Sequence, residues 1–232
     1  MGWLVGFMFV VALGASPLCG CGETAAGCQG ATNGTACDDG ACRDGVCTAL
    51  TTVSGTVIED EVEAAEGATV SWLGSTLSAT TDESGAFSFE VPVGNLFLQT
   101  SKAGTWGYIE LIWTEGASEL ELGLESDEGL AEVFSGVDLD ATKGILDVIF
   151  NNHSGMGGES ATLSANGMLM SDELPPGPEP WLAFPNVDVT DELTVTPMGA
   201  EGVNRCVLQV PGTVYPVVAK FITGVEVTCT PL

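Results

Sequence analysis

Hydrophobic and polar residues alternate with a period of two in short runs along most of the chain after residue 50. In the segment AFSFEV, the side chains of Phe87, Phe89 and Val91 point to one side and the residues between them to the other. Such alternation predicts strands with one buried and one solvated face. Because the runs recur about every ten residues between Gly- and Pro-containing turns, the pattern predicts an all-β protein built from sandwiches.

The stretch TTDESGAFSFEVPVG, residues 80–94, combines a turn, a strand and a corner. Asp82 is expected to accept hydrogen bonds from the turn backbone, and Gly85 to adopt the positive φ that closes a short hairpin. Pro92 is expected to end the strand pairing and Gly94 to turn the chain sharply. The stretch therefore predicts a tight hairpin followed by a corner into the next strand.

The order of these segments resembles the carboxypeptidase regulatory-like domain. The motifs that carry the resemblance are Gly55–Val57, Gly67–Val70, Thr81–Phe89 and Pro92–Gly94. The resemblance implies a transthyretin-like antiparallel sandwich with a carbohydrate-binding-like fold over residues 51–124. The sequence departs from the family pattern at EDEVEAAEGA, where a Gly-x-Pro turn is usual, and at Phe97, where the aromatic expected after Gly94 is displaced.

Residues 125–139 change to a helical pattern and predict a short connector. Ser126 can cap the helix, and Leu130, Val133 and Phe134 form an apolar stripe. Residues 140–232 then read as a second, divergent antiparallel sandwich of the transthyretin-like or Ig-like kind. Its segments are two strands in KGILDVIFN and GESATLSANG, a Pro-rich loop leading to an edge strand, the strand DELTVTPMG and two closing strands. One larger domain is the alternative.

The first 21 residues predict a lipoprotein signal peptide. The apolar run Trp3–Ala15 is too short to span a bilayer but matches the apolar region of a signal sequence. The following Leu-Cys-Gly-Cys resembles the lipobox of bacterial lipoproteins and makes Cys21 the predicted lipidation site. Cleavage without lipid and an uncleaved anchor are the alternatives. The prediction is a protein exported to the cell envelope and anchored in the outer membrane.

Cysteine usage agrees with export. Setting aside Cys19 and Cys21 leaves an even number, which suits three disulfides in an oxidising compartment: Cys28, Cys37, Cys42, Cys47, Cys206 and Cys229. The first four lie in residues 22–50, a segment with almost no large apolar side chain, which predicts a stalk stapled by disulfides whose pairing stays open. A Cys206–Cys229 bridge is expected between the closing strands. The spacing does not suit zinc.

The charge balance excludes several partners. Five basic residues stand against 32 acidic ones, which gives a formal net charge of −27. Such a surface repels nucleic acid and anionic lipids. It permits calcium binding, for which two groups of acids are candidates, although neither has an EF-hand loop: Asp188, Asp191 and Glu192, and Asp138 with Asp140.

Residues for catalysis are hard to assemble from this chain. It has one histidine, His153, in a loop-type segment, so zinc-peptidase ligation and a serine–histidine pair lack the necessary groups. Phosphate-binding and dinucleotide-binding glycine motifs are missing from the sequence. Apart from the calcium candidates above, the sequence therefore predicts no metal site, no cofactor and no enzyme.

These observations predict a non-enzymatic envelope lipoprotein that displays β-sandwich modules for structural or adhesive binding. Its partners would be the membrane, through the lipid, and an envelope protein or polysaccharide. The alternative is a carbohydrate-binding module, since sugars stack on exposed aromatic rings. Trp106, Tyr108 and Trp181 are the candidate ligand-binding residues and are expected to be exposed.

Overall fold

The computed structural model describes residues 27–115, 119–165 and 168–232. The described chain is an all-β sandwich protein with one short helix, which confirms the predicted fold class. The predicted signal peptide and Cys21 lie outside the described residues. No helix within the described ranges is long and apolar enough to cross a bilayer.

The cysteine-rich segment folds into a small antiparallel sheet of three strands, β1 (Ala36–Cys37), β2 (Gly40–Arg43) and β3 (Val46–Thr48). Disulfides join Cys28 to Cys42 and Cys37 to Cys47, which settles the pairing that the sequence left open. Cys28, Cys37 and Cys47 lie close enough to hold a metal, but all three are disulfide-bonded. We call residues 27–49 the stapled module.

Arg43 fastens the stapled module to the corner that follows the patterned stretch. Its Nη1 donates to the carbonyl oxygen of Val93 over 3.0 Å, and its Nη2 donates to that of Asn95. Gly94, with φ +119°, lies directly beneath the guanidinium, and a Cβ there would come within 2.6 Å of Nη1. The corner therefore needs glycine both for its backbone conformation and for the approach of Arg43.

We expect Arg43→Ala to loosen the stapled module by about 1–2 kcal/mol, because two hydrogen bonds from a charged group are lost. Hydrogen exchange of the β2 and β3 amides should become faster, while exchange in the rest of the protein stays unchanged. Arg205→Ala removes an equal charge from an exposed position and serves as the control. Equal protection in both variants would contradict the docking role of Arg43.

The first sandwich follows, with six strands where the alternating runs predict them and two short strands that were not predicted. They are β4 (Leu50–Glu59), β5 (Glu63–Ala64), β6 (Thr69–Trp72), β7 (Ser78–Thr80), β8 (Ala86–Pro92), β9 (Asn95–Ser101), β10 (Thr105–Trp113) and β11 (Leu120–Ser126). The two short strands that were not predicted are β5 and β7. Its core includes Val57, Val70, Phe87, Leu98 and Leu122.

The predicted hairpin is confirmed in detail. Asp82 Oδ1 accepts hydrogen bonds from the backbone amides of Ser84 at 2.9 Å and Ala86 at 3.0 Å. Gly85 has φ +75°, and a Cβ there would lie 2.5 Å from the Val57 carbonyl oxygen. Thus the Asp-x-x-Gly turn is closed by side-chain capping and packs tightly against β4.

The connector contains the helix α1 (Asp127–Val133), as predicted. The Ser126 hydroxyl caps it by accepting from the Gly129 amide at 3.0 Å. Leu130 is buried, but Val133 is 53% exposed, so the predicted apolar stripe is only partly used. The helix covers one end of a sheet face described below.

The remaining strands form the second half of the chain. They are β12 (Gly144–Asn151), β13 (Ser160–Ala165), β14 (Met168–Glu173), β15 (Trp181–Val187), β16 (Thr190–Met198), β17 (Asn204–Leu208), β18 (Val214–Val217) and β19 (Phe221–Pro231). A four-stranded sheet in the order β14-β13-β16-β18 packs against β12 and β19 over a separate core. The predicted Cys206–Cys229 disulfide is confirmed and joins directly opposed residues of β17 and β19.

The two halves are joined by backbone hydrogen bonds. The long sheet has the order β15-β12-β19-β10-β11-β4-β5, and β19 runs parallel to both β10 and β12. The β11–β4 pair is also parallel, although the sequence pattern predicted antiparallel pairing. Alternation of side chains is the same in both kinds of sheet and does not reveal strand direction. The division into domains at residues 125–139 stays a prediction, since the cores are separate but the sheet is shared.

Candidate binding cleft

A cleft of about 510 Å³ lies on the face of the shared sheet that points away from the second core. Strand alternation creates it: in β12, Leu146 and Val148 pack into the second core, while Asp147 and Ile149 face the cleft. A hollow of about 120 Å³ adjoins the cleft and shares part of its lining, including Asp147. The cleft is therefore formed where β10, β19 and β12 bring both halves of the chain together.

One end of the cleft is closed by the helix. Trp106, Leu130, Ile145 and Ile222 form a small core beneath α1. The Trp106 indole nitrogen donates to Asp127 Oδ1 at 2.8 Å. Trp106 is 2% exposed, so the expectation that it is exposed is wrong. The reason is that α1 packs over this end of β10, which the strand pattern alone does not show.

Tyr108 lines the cleft and is only partly buried. Its ring lies over Gly123, where a Cβ would come within 3.0 Å of Cε2, so the glycine makes room for the ring. Its hydroxyl lies 3.5 Å from Glu125 Oε1. Burial, reinforced by neighbouring carboxylates, raises the pKa of Tyr108, so it remains a neutral hydrogen-bonding group.

Trp181 is the aromatic residue that the cleft presents to solvent. It lies at the start of the edge strand β15 and is 36% exposed. It lies opposite Ile149 of β12 and is preceded by Pro180, which also lines the cleft. Of the three predicted ligand-binding residues, Trp181 best matches the expected exposure.

Three carboxyl groups in the cleft have strongly raised pKa values. Burial, together with the charge of Glu226, raises the pKa of Glu110 to about 7. Burial raises the pKa of Asp147 to about 6. Burial and the neighbouring Asp60 raise the pKa of Glu125 to about 7. Their raised pKa values mean that these positions favour the neutral carboxyl group over the ionised carboxylate.

Sequence reasoning missed Glu110 and Asp147. Each is a single acid at one position of an otherwise apolar strand, in WGYIELIW and KGILDVIFN. An acid in such a run usually lies on the solvated face of the sheet. Here that face forms the cleft. The sequence signal that could have found them is a spacing of two residues. Glu110 shares a strand face with Tyr108, and Asp147 shares one with Ile149.

The other predicted sites are engaged in local structure. Asp140 Oδ1 accepts from the Thr142 amide at 2.8 Å, and Asp188 pairs with Lys143 at 3.1 Å. His153 accepts from the Gly155 amide at 3.1 Å, which makes it a loop-stabilising residue. Among the described residues, no three carboxylates bring one oxygen each within 4.8 Å of one another.

The described architecture is that of an all-β sandwich protein with an acidic, aromatic-rimmed cleft. Neither a protein-family model nor a curated protein matches the chain. The resemblance to the carboxypeptidase regulatory-like domain therefore stays a prediction.

Three solved structures illustrate what the chain is similar to. A mutant type II cohesin–X-dockerin complex from Acetivibrio cellulolyticus is 28% identical over 33% of this chain, with a TM-score of 0.24. The match spans 52% of the matched chain's length, about half. The Bacillus anthracis TIE protein is 14% identical over 77% of this chain and 34% of its own, with a TM-score of 0.26.

A bacterial adhesin from Mobiluncus mulieris with disulfide, isopeptide and ester cross-links is 10% identical. The match covers 78% of this chain and 97% of the adhesin, with a TM-score of 0.25. At TM-scores this low, none of the three similarities determines a function for this chain.

Proposed function

We propose that this protein is a non-enzymatic binding module of the cell envelope that holds an extracellular partner in the cleft. The observation that carries the proposal is the cleft itself, which joins an exposed indole, apolar walls and carboxylates without counter-charges. Its volume of about 510 Å³ lies in the range of about 300–1,000 Å³ that ligand sites occupy. A structural or adhesive role follows from such a site on a rigid, disulfide-braced sheet.

The cellular location of the protein is part of the proposal. Three disulfides indicate an oxidising compartment. Lipidation of Cys21 and anchoring in the outer membrane rest on the lipobox alone. With lipid at Cys21 and the stapled module as a spacer, the sandwiches would be displayed away from the membrane.

Carbohydrate binding is the second candidate, and the position of Trp181 favours it. An exposed ring beside carboxylate acceptors offers both stacking for a sugar face and hydrogen bonds for its hydroxyl groups. Trp106, by contrast, is enclosed under α1 and has no free face to offer. A polysaccharide ligand would therefore lie against Trp181 and the β15 edge of the cleft.

A binding screen with two tryptophan variants tests the proposal. The protein is offered to a glycan array and to a peptide array, and each binder is measured again with Trp181→Ala and Trp113→Ala. Trp113 is 58% exposed and lies away from the cleft, so it is a matched control. We expect Trp181→Ala to weaken binding at least tenfold, since the exposed aromatic anchor of the cleft is lost, and Trp113→Ala to leave it unchanged. Failure of both arrays, or equal effects of the two variants, would overturn the proposal.

A further inference from the structure

Two carboxyl groups that line both the cleft and the adjoining hollow lie on either side of a glycine of the hollow. Asp147 of β12 pairs directly with Gly224 of β19. On the other side of β19, Ile109 of β10 is the partner of Thr223. The next residue along each strand is Glu110 and Gly224, so Glu110 lies level with Gly224. Strands lie about 4.8 Å apart, so the two acids flank a trough about 10 Å wide at the backbone. Gly224 has no side chain between them, and Glu110 Cγ lies 3.8 Å from the position that a Cβ at Gly224 would take.

These two acids lack partners. Asp147 Oδ1 is fully buried and accepts no hydrogen bond. Glu110 is partly buried, and none of the ion pairs among the described residues includes it. A buried acceptor without a donor is costly, so the unpartnered Asp147 oxygen beside the cleft favours a ligand that supplies donors.

The chain supplies no cation of its own to this place. None of its five basic residues lines the cleft or the hollow. Lys102 pairs with Glu59, Lys143 with Asp188, and Lys220 lies 4.0 Å from Asp127. Arg43 is held at the stapled module. When Glu110 and Asp147 are ionised, no basic side chain of the chain lies in the cleft or the hollow to balance their charge.

The shape of the site indicates what kind of cation fits. The carboxylates are too widely spaced to place three oxygens around one metal ion, as shown above for the described residues. An ammonium or guanidinium group is larger and donates several hydrogen bonds in different directions. The apolar wall of Ile149, Pro180 and Ala183 matches an aliphatic stem, and the Trp181 ring can contact a cation at the rim.

We propose that the cleft binds a lysine or arginine side chain of a protein partner, with Glu110 and Asp147 receiving its charged end. This inference rests on the proposed function and assigns the chemistry of the partner. The aliphatic part of the side chain would lie along β12 and β15, and Glu226 would add negative charge beside the hollow.

Peptides of matched size test the inference. A library of pentapeptides carries Lys, Arg, norleucine, citrulline or Glu at the centre, with the flanking residues varied, and binding is measured by calorimetry at low salt. We expect Lys and Arg peptides to bind, and norleucine and citrulline peptides to bind at least tenfold more weakly, because both lose the charge and norleucine also loses the hydrogen-bond donors. Equal binding of charged and neutral peptides would overturn the inference.

Variants of the protein locate the site. Glu110→Gln and Asp147→Asn should each weaken the Lys peptide at least tenfold, whereas Glu90→Gln, an exposed acid on β8, changes the net charge equally and should not. Thermal unfolding at pH 8 should show Glu110→Gln at least as stable as the parent, because it removes an uncompensated charge. Unchanged peptide binding by both cleft variants would contradict the inference.

Two further probes separate this inference from the proposed function. If 1,5-diaminopentane binds and none of the basic peptides does, the site would be assigned to a free diamine and the inference would be overturned. Binding of neutral oligosaccharides alone, weakened by Trp181→Ala, would overturn it too and leave the binding function intact. No binding by any probe would overturn both.

Discussion

Replacing Cys206 and Cys229 together by alanine is expected to lower the free energy of unfolding by about 3 kcal/mol. The bridge closes a loop between residues 23 apart, and the loss of such a cross-link increases the entropy of the unfolded chain by roughly this amount. Both cysteines are buried in the second core, so the packing loss acts in the same direction. Urea unfolding of the oxidised proteins, followed by tryptophan fluorescence, measures the change.

The matched comparison is the double variant of Cys37 and Cys47. That disulfide belongs to the stapled module, whose three strands form a sheet of their own. Its removal should speed proteolysis of residues 27–49 and leave the main urea transition within about 1 kcal/mol of the parent. If both pairs lowered the main transition equally, the stapled module would be part of the same cooperative unit.

The second large effect is expected from Glu159→Ala. Glu159 is 0% exposed, and its Oε1 accepts from the Ser154 amide at 2.7 Å and from Asn204 Nδ2 at 2.8 Å. Truncation leaves two donors unpaired and should cost about 3 kcal/mol. Glu159→Gln keeps one acceptor oxygen and should cost less than Glu159→Ala, although the charge assistance is lost and the new amide NH2 has no partner near Oε2. The exposed Glu201→Ala, in the adjacent turn, is the control and should change stability little.

Glu159 also predicts a pH dependence. Burial alone would raise the pKa of its carboxyl group, but the hydrogen bonds from Ser154 and Asn204 outweigh burial and lower it from 4.5 to about 2. The carboxylate therefore stabilises the fold fully above about pH 4.5, and this contribution falls as the pH drops toward 2. The difference in urea midpoint between the parent and Glu159→Gln should therefore become smaller as the pH is lowered from 6 to 2.5. A constant difference across this range would contradict the role of the charge.

Much of the fold was predictable from local patterns. The hairpin around Asp82 and Gly85, the Ser126 cap and the Cys206–Cys229 bridge follow from turn chemistry, capping and strand placement, which act over a few residues or between neighbouring strands. The β18 strand and the parallel pairing of β19 were not predicted. They depend on long-range partners, which alternation does not specify.

The candidate site shows the same limit. Trp181 was predicted as exposed because it follows a Pro-rich loop, and it is. Trp106 was wrongly predicted as exposed because α1, which follows the neighbouring strand β11, covers it. Glu110 and Asp147 are unremarkable in their own strands. Only the placement of β19 between β10 and β12 brings them to one cavity.

The position of β19 has a mechanical consequence. A tethered ligand gripped by β10 and β12 would transmit tension into the strand between them, which runs parallel to both. A pull along β19 would load its pairing with both neighbours together, residues 221–223 against β10 and residues 222–228 against β12. Displacing β19 therefore requires both sets of backbone hydrogen bonds to break, and with them the connection between the two halves of the chain.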